Sequence, residues 1–355
     1  MKILLLITCL GRGGADKQVI ELAKSLNRKG NEVLVVSMLT LGVMGTEAKN
    51  DINIKSLNIE RGKVDLISLF KFYRIVKDFK PVILHSHMKH AVIFSRAFKF
   101  IFFSNVKLIN SFHNICSDKD RFNYLLRFSD FISDLNTFVS SASKLSYVKR
   151  NIVNKYKSIV VGNYIPQVSV KFPFREKSEV NYVIGALGRI HSIKNYELLI
   201  KSFYFFNKEI KNSKLVIAGH GKIDDLVRFS DTLGISDRVS FIGPISDISN
   251  FFYNIDLYVS TSKTEGFCLS LAEAIQHHRF SVVTNSGGVT DVLEDTSFIV
   301  NNHNEHDFSQ RMLDAYDLDE SRINEIINLN LNKVENNFSL DVIINKWISI
   351  YGQLL

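Results

Sequence analysis

The sequence predicts an α/β protein built from two doubly wound parallel sheets, one in each half of the chain. Three observations predict it. The 355 residues exceed what one hydrophobic core usually organises and suit two domains. In each half, short runs rich in Val, Ile and Leu alternate with amphipathic stretches of helical period, the pattern of strands covered by helices on both faces. Between the halves, residues 167–179 contain Pro173 and several charges with neither period, and read as a linker.

In the first series, residues 3–8, 32–38, 52–57, 82–85 and 107–112 are bounded apolar runs and read as strands. Residues 15–27 and 64–79 carry helical spacing. In the second series, 182–187, 215–218, 239–242, 257–260, 281–284 and 298–300 read as strands with helices between them, and the chain ends in helix near 340–355. The expected domains are 1–166 and 180–338, followed by a terminal helix over 339–355. Two such domains facing each other make a cleft at the carboxyl ends of their strands, where ligands bind.

Composition narrows the class. With 46% apolar and 23% charged residues the chain is an ordinary globular protein and not a disordered one. Cys9, Cys116 and Cys268 are too few and too scattered for a disulfide framework or a zinc site, which fits a reducing cytoplasm. The apolar start resembles a signal peptide, but it is short and runs straight into a glycine turn and a helix, as a buried first strand does. No apolar run reaches transmembrane length. Residues 1–170 hold 26 Lys/Arg against 12 Asp/Glu, a net +14, and the remainder carries −6. That asymmetry points the first half at an anionic partner or surface.

The densest chemistry lies in Ser262-Lys-Thr-Glu-Gly-Phe-Cys-Leu-Ser-Leu-Ala-Glu-Ala274. Glu265 precedes Gly266, where backbone can approach a ligand closely. A helix over 269–276 would offer unpaired N–H groups and the positive end of its dipole to an anion. Glu273, expected in its first turn, could accept hydrogen bonds from sugar hydroxyls. Ser270 and Glu273 also spell a capping box that needs no ligand. Upstream, Leu187-Gly-Arg-Ile-His-Ser-Ile-Lys-Asn195 places Arg189 and Lys194 just after a strand. Bidentate Arg and point-charge Lys together suit a diphosphate.

In the first half, Gly11-Arg-Gly-Gly-Ala-Asp16 is a glycine turn entering a helix. A dinucleotide fingerprint would need a third small residue where Asp16 stands and an acidic residue after the second strand. His87 and His113 are expected just past buried strands at their carboxyl ends, where cleft residues belong.

These motifs, with Ala218-Gly-His-Gly221, Val239-Ser-Phe-Ile-Gly243, Asp256-Leu-Tyr-Val-Ser260 and Asn285-Ser-Gly-Gly288, resemble family-4 retaining glycosyltransferases of the bacterial surface-polysaccharide type over nearly the whole chain. The resemblance implies the GT-B architecture, two Rossmann-like domains facing a cleft. The first takes the acceptor, the second takes a nucleotide-diphosphate sugar, and the last helix crosses back. It implies that Arg189 and Lys194 hold the diphosphate, Glu265 the transferred sugar, and Glu273 the ribose. Gly243, Gly266, Phe267, Cys268, Leu269 and Ser270 fall to the donor site. Gly13 and Gly14 lie by the donor phosphates, His113 faces the reacting sugar, and Arg12 and His87 stand on the acceptor side. His278 and Phe280 replace a usual Gly and Pro, which would reshape the turn there. Cys268 stands where Gly is common, and His220 replaces a frequent acidic residue.

The activity implied is transfer of a hexosyl or N-acetylhexosaminyl group, from a donor such as a UDP-sugar, to a lipid-linked saccharide in polysaccharide or glycolipid assembly. No cofactor or metal is expected; Asp317-Leu-Asp319 falls in the helical tail as a solvated face. A nucleotide-sugar epimerase would need the same diphosphate site, and a non-catalytic partner protein of the same fold would be expected to lose Glu265, Arg189 or Lys194. The basic half and Arg96-Ala-Phe-Lys-Phe-Ile-Phe-Phe103 suggest an anionic membrane surface, with the protein peripheral on the cytoplasmic face of the inner membrane. The alternative is that these phenylalanines fill the core. No nucleic-acid motif accompanies the charge.

Overall fold

The computed structural model describes residues 1–11, 13–60, 66–102, 105–168 and 181–355. It divides into two compact units, Met1–Tyr164 with Leu340–Leu355, and Ile165–Ser339. The first boundary falls two residues before the expected one, because Ile165 N donates to Phe338 O at 2.8 Å. Of the expected linker, 169–179 lies outside the described residues.

Unit 1 contains the parallel strands β1 (Lys2–Ile7), β2 (Glu32–Ser37), β3 (Asn53–Ser56), β4 (Ile83–His87), β5 (Lys107–Phe112), β6 (Leu135–Phe138) and β7 (Ser158–Val160), in the order β3-β2-β1-β4-β5-β6-β7. Ile3 to Ile7 are fully buried, as a central parallel strand covered on both faces must be. Ile3 pairs with Val33 on one side and Ile83 on the other. Around the sheet run α1 (Gly14–Arg28), α2 (Val43–Ala48), α3 (Leu66–Phe79), α4 (Lys89–Ile101), α5 (Asn123–Phe128) and α6 (Ser141–Val148). Of the expected helix 64–79, residues 64 and 65 lie outside the described residues.

Unit 2 orders its parallel strands β10-β9-β8-β11-β12-β13. These are β8 (Tyr182–Leu187), β9 (Ser213–Ala218), β10 (Val239–Gly243), β11 (Leu257–Ser260), β12 (Phe280–Thr284) and β13 (Ile299–Val300). Its helices are α7 (Tyr196–Glu209), α8 (Asp224–Thr232), α9 (Ile248–Tyr253), α10 (Leu269–Gln276), α11 (Val289–Val292), α12 (Glu305–Asp317) and α13 (Glu320–Phe338). The last helix, α14 (Leu340–Leu354), belongs to unit 1 and buries Ile343, Ile344, Trp347 and Tyr351 there.

Helix ends follow the sequence closely. Helix α1 closes with Gly30 at φ 79°, its N–H donating to Asn27 O and that of Asn31 to Leu26 O, the paired bonds of a Schellman motif. Helix α10 closes the same way: His278, at φ 57°, donates to Ile275 O, and Arg279 to Ala274 O. The turn expected to be reshaped by His278 is therefore the ordinary left-handed one, held by a residue other than glycine.

Arg96 corrects the expectation of a membrane-facing stretch. Its side chain is fully buried, as are the rings of Phe94 and Phe98. Arg96 Nη2 donates to Asp130 Oδ1 at 2.8 Å, Nε to Ser133 Oγ at 2.8 Å, and Nη1 to Leu126 O at 2.6 Å. Burial pulls its pKa down to about 10, against the pull of Asp130, so it stays cationic at neutral pH. Lys99 is likewise drawn inward to Asp134 at 2.5 Å. Of the expected surface residues, Phe100 and Ile101 are exposed, and Phe103 lies outside the described residues.

Arg96→Ala leaves Asp130 buried without its cation and is expected to cost about 3–5 kcal/mol of stability. Lys24→Ala, which breaks the exposed Lys24–Asp51 pair, is expected to cost under about 1 kcal/mol. Urea unfolding of the two variants compares them directly; equal losses would contradict the internal role of Arg96.

Candidate active site

Each sheet reverses its strand order once, and loops leaving such a reversal form the crevice where α/β proteins bind ligands. In unit 2 the reversal lies between β8 and β11. The loop after β8 carries Gly188 to Lys194, and the loop after β11 carries Thr261 to Gly266. The fold joins them: Lys194 Nζ lies 2.6 Å from Glu265 Oε1, and Ser262 Oγ donates to the same oxygen at 2.7 Å. Burial acts to lower the Lys194 pKa, but the Glu265 carboxylate more than reverses this, so the ammonium is held above its ordinary value. One of its three N–H groups goes to Glu265, leaving two to donate to an anionic ligand.

The two loops are tied by their backbones. Thr261 Oγ1 donates to Lys194 O and Asn195 O, both at 3.1 Å, Lys263 N to Ile193 O at 2.7 Å, and Tyr196 Oη to Gly188 O at 2.9 Å. A Cβ on Gly219 would lie 1.9 Å from Gly188 O, and one on Gly221 2.6 Å from Ile190 O. The glycines of Ala218–Gly221 thus make room for the loop that bears Arg189 and Lys194. Arg189 is exposed in that loop, and no carboxylate pairs with it among the described residues.

Glu265 is gripped from behind. Its N–H donates to Ser286 O at 2.7 Å, and Gly288 N donates to its carbonyl at 3.1 Å. A Cβ on Gly288 would sit 2.4 Å from Gly266 O. The run Asn285–Gly288 after β12 therefore serves as the clamp on the Glu265–Gly266 turn, a role that no local pattern reveals.

The start of α10 corrects two expectations. Its N-cap is Cys268, in the left-handed region at φ 67°, with no side-chain cap. Ser270 lies inside the helix, where its Oγ accepts from Tyr258 Oη at 2.7 Å, so Ser270 and Glu273 form no capping box. Glu273 is the fifth residue of the helix, one turn deeper than the expected first turn, because the helix begins at Leu269. The Phe267 ring packs edge-on against Phe338, with centroids 4.9 Å apart, so what Phe267 can offer a ligand is backbone. Burial, with Glu265 adding to it, pushes the Cys268 thiol up to about 12, which keeps it protonated and unreactive. Leu269 and Ser270 are half-buried. Gly243, at φ 69°, has open space where a Cβ would be, and its carbonyl accepts from Gly219 N at 2.8 Å.

In unit 1 the reversal lies between β1 and β4. Gly13 caps α1 and Gly14 begins it; both are exposed. Arg12 lies outside the described residues. Asp16 is buried, and its Oδ2 accepts from Gly13 N at 2.9 Å. The residue that departs from the dinucleotide fingerprint is thus the cap that holds the glycine turn. Burial raises its pKa, opposed by the N–H groups of Gly13 and Gly11.

His87 is the last residue of β4, which runs two residues past its expected end, and His113 follows β5. The structure brings them together, His87 Nδ1 lying 3.2 Å from His113 Nε2. His85 bonds Tyr351 Oη at 2.8 Å and Ser111 Oγ at 2.7 Å. His87 Nε2 is buried without a hydrogen-bond partner among the described residues, beside a cavity that Gln18, His113, Tyr164 and Trp347 also line. Burial lowers the pKa of His85 and His87 well below the usual value and brings His113 down to about 4. All three are neutral imidazoles at pH 7. Among the described residues, no three His, Cys, Asp or Glu side chains gather as metal ligands.

The profile described as Glycosyltransferase Family 4 matches residues 12–166, and that described as Glycosyl transferases group 1 matches 169–328. The chain belongs to glycosyltransferase family 4. It is 22% identical to the capsular polysaccharide biosynthesis glycosyltransferase CapH of Staphylococcus aureus, over 84% of this chain and 86% of CapH. It is 24% identical to a phosphatidylinositol N-acetylglucosaminyltransferase protein of Arabidopsis thaliana, over 64% of this chain and only about half, 52%, of that protein. Among solved structures, Anabaena HepE in complex with UDP-glucose superimposes with a TM-score of 0.82 over 99% of this chain and 100% of HepE, at 18% identity. The fold is GT-B, with two Rossmann-like domains.

The histidines make acid stability a test of this family member's first unit. Their folded-state pKa values lie below the unfolded value near 6.5, so below that pH the unfolded chain binds protons that the folded chain refuses. The stability they contribute is complete above about pH 6.5 and falls as the pH drops toward 4, by up to about 1.4 kcal/mol per pH unit per histidine. Urea unfolding between pH 7 and 5 should show a shallower slope for His113→Asn than for the native chain; parallel slopes would refute the assignment.

Proposed function

We propose that this chain is a retaining glycosyltransferase moving a hexosyl or N-acetylhexosaminyl group from a nucleotide-diphosphate sugar, UDP-linked, to a hydroxyl of a lipid-linked saccharide. The product belongs to a cell-surface polysaccharide or glycolipid, and the protein works at the cytoplasmic face of the inner membrane. The observation that carries this reading is the Lys194–Glu265 pair at the β8/β11 reversal, near the side-chain-uncapped start of α10. CapH is named for capsular polysaccharide and HepE holds UDP-glucose, which supports the substrate class. No helix among the described residues is long and apolar enough to cross a membrane.

In this reading the bond from the sugar's anomeric carbon to the diphosphate oxygen breaks as the acceptor oxygen bonds to the same face. The acceptor's proton passes to the departing diphosphate oxygen. Lys194, Arg189 and the N–H groups at the start of α10 stabilise the charge developing on that diphosphate. Glu265 holds the transferred sugar's hydroxyls, with Gly243, Gly266, Phe267, Cys268, Leu269 and Ser270 shaping the donor site. Glu273 serves the ribose from the second turn of α10. His113, neutral and therefore able both to donate and accept, serves a sugar hydroxyl, and Gly13, Gly14, Arg12 and His87 serve the acceptor unit. The two cations do the work a divalent metal would do, so transfer should persist in EDTA.

Incubation with UDP-, GDP- and dTDP-sugars and a lipid-linked saccharide tests the proposal. Lys194→Ala and Glu265→Gln are each expected to lower kcat/KM about a hundredfold or more with circular dichroism unchanged. Gly288→Ala, which displaces the Glu265 turn, should cost about a hundredfold in kcat. Near-native turnover in folded Lys194→Ala would remove the site assignment. A separate check is the anomeric configuration of the product by NMR: an α-donor should give an α-linkage, and a β-linkage would exclude retention.

A further inference from the structure

We propose that residues 119–131, with Tyr156, form the surface by which unit 1 docks on an anionic lipid bilayer. The proposal rests on the membrane-located acceptor argued above and assigns the docking to a segment that sequence pattern does not single out.

Tyr124, Leu125, Phe128 and Phe131 are 71%, 54%, 72% and 70% exposed, and Tyr156 is 85% exposed. Four large apolar side chains facing outward within eight residues make a contiguous patch of the kind that marks an interaction site. The segment is two-faced, because Leu126 between them is fully buried against the core formed with Phe112 and Phe138. Tyr156 adjoins the same surface, since Asn154 N donates to Asp130 Oδ2 at 2.7 Å and Lys157 Nζ to Ser133 O at 3.0 Å.

Arg96 is the mount for this face. Its guanidinium reaches Leu126 O and Ser129 Oγ in and after α5, and Asp130 and Ser133 in the turn that follows. The apolar residues are thus held outward on a buried, hydrogen-bonded base and have no room to fold into the core.

Charge selects the occupant. The four carboxylates of the segment are each drawn into an ion pair within the fold: Asp118 with Arg150, Asp120 with Lys89, Asp130 with Arg96, and Asp134 with Lys99. Lys119, Arg121, Arg127 and Lys155 are exposed, and none has a carboxylate partner among the described residues. Protruding aromatics ringed by uncompensated cations match the headgroup boundary of an anionic bilayer, which takes apolar side chains and attracts Lys and Arg together. A second copy would set the same four cations against themselves, because a two-fold interface joins identical patches.

Cosedimentation of the full chain with vesicles of phosphatidylcholine, with and without one third phosphatidylglycerol, tests this without any turnover. A failed docking therefore leaves the transferase reading standing, and a failed transferase assay leaves docking measurable. Binding is expected to the anionic vesicles and to fall with salt. Phe128→Ser with Phe131→Ser should weaken it at least tenfold, and Arg121→Gln or Arg127→Gln about fivefold each. Unchanged circular dichroism would confirm that these exposed substitutions leave the fold in place. Phe70→Ser, in the other exposed apolar cluster with Leu66 and Ile67, should leave binding unchanged. The proposal is overturned if anionic vesicles are not bound, if Phe70→Ser abolishes binding while the Phe128 and Phe131 pair does not, or if that pair only dissolves a dimer.

Discussion

Much of unit 2 is arranged to keep one ion pair in place. Lys194 and Glu265 are 71 residues apart, and their side chains are only 20% and 16% exposed, so each has lost much of its hydration. A pair in that position is tolerated when geometry and further hydrogen bonds compensate both ions. Ser262 supplies the carboxylate's second bond, Thr261 and Tyr196 fix the lysine's loop, and Ser286 with Gly288 fixes the glutamate's. The glycines at 188, 219, 221 and 288 are where these loops pass too closely for side chains. The result is a carboxylate and an ammonium presented side by side, one for hydroxyls and the other for phosphate oxygens.

Unit 1 handles buried polarity in two contrasting ways. Arg96 is kept charged by surrounding it with acceptors, whereas His85, His87 and His113 are kept neutral by burial. A neutral imidazole can give one hydrogen bond and receive another, and the His87–His113 contact uses one nitrogen of each ring. What His113 offers beyond that contact is its Nδ1, with a tautomer set by which ring donates. A polar, uncharged group suits a sugar hydroxyl, and it avoids placing a positive charge where the reacting sugar itself becomes electron-poor.

Much of this is legible in the sequence. Both sheets follow from periodicity, and Arg189, Lys194 and Glu265 fall in loops at strand ends because short apolar runs fix where those strands stop. What local pattern cannot give is the partner of each side chain. Arg96 beside Phe94 and Phe98 reads equally as a surface stripe or as a core helix, and only Asp130, 34 residues on, decides it. Asp16 looks like a fault in a glycine turn until its bond to Gly13 shows it to be the cap. Pattern places Glu273 one turn too early because a left-handed cysteine, which propensity disfavours, begins the helix instead of a serine. The exposed face of 124–131 escapes a reading of periodicity because a six-residue helix carries too little period to show which side is buried.

The membership of α14 has a consequence for how the chain is made. Its residues leave the ribosome after every residue of unit 2, yet Trp347 and Tyr351 pack on His85 in a sheet whose first strand began at Lys2. The nascent first unit therefore waits with that histidine face uncovered while some 170 intervening residues, roughly ten to thirty seconds of synthesis, emerge and fold. The older unit in sequence is the younger one to close.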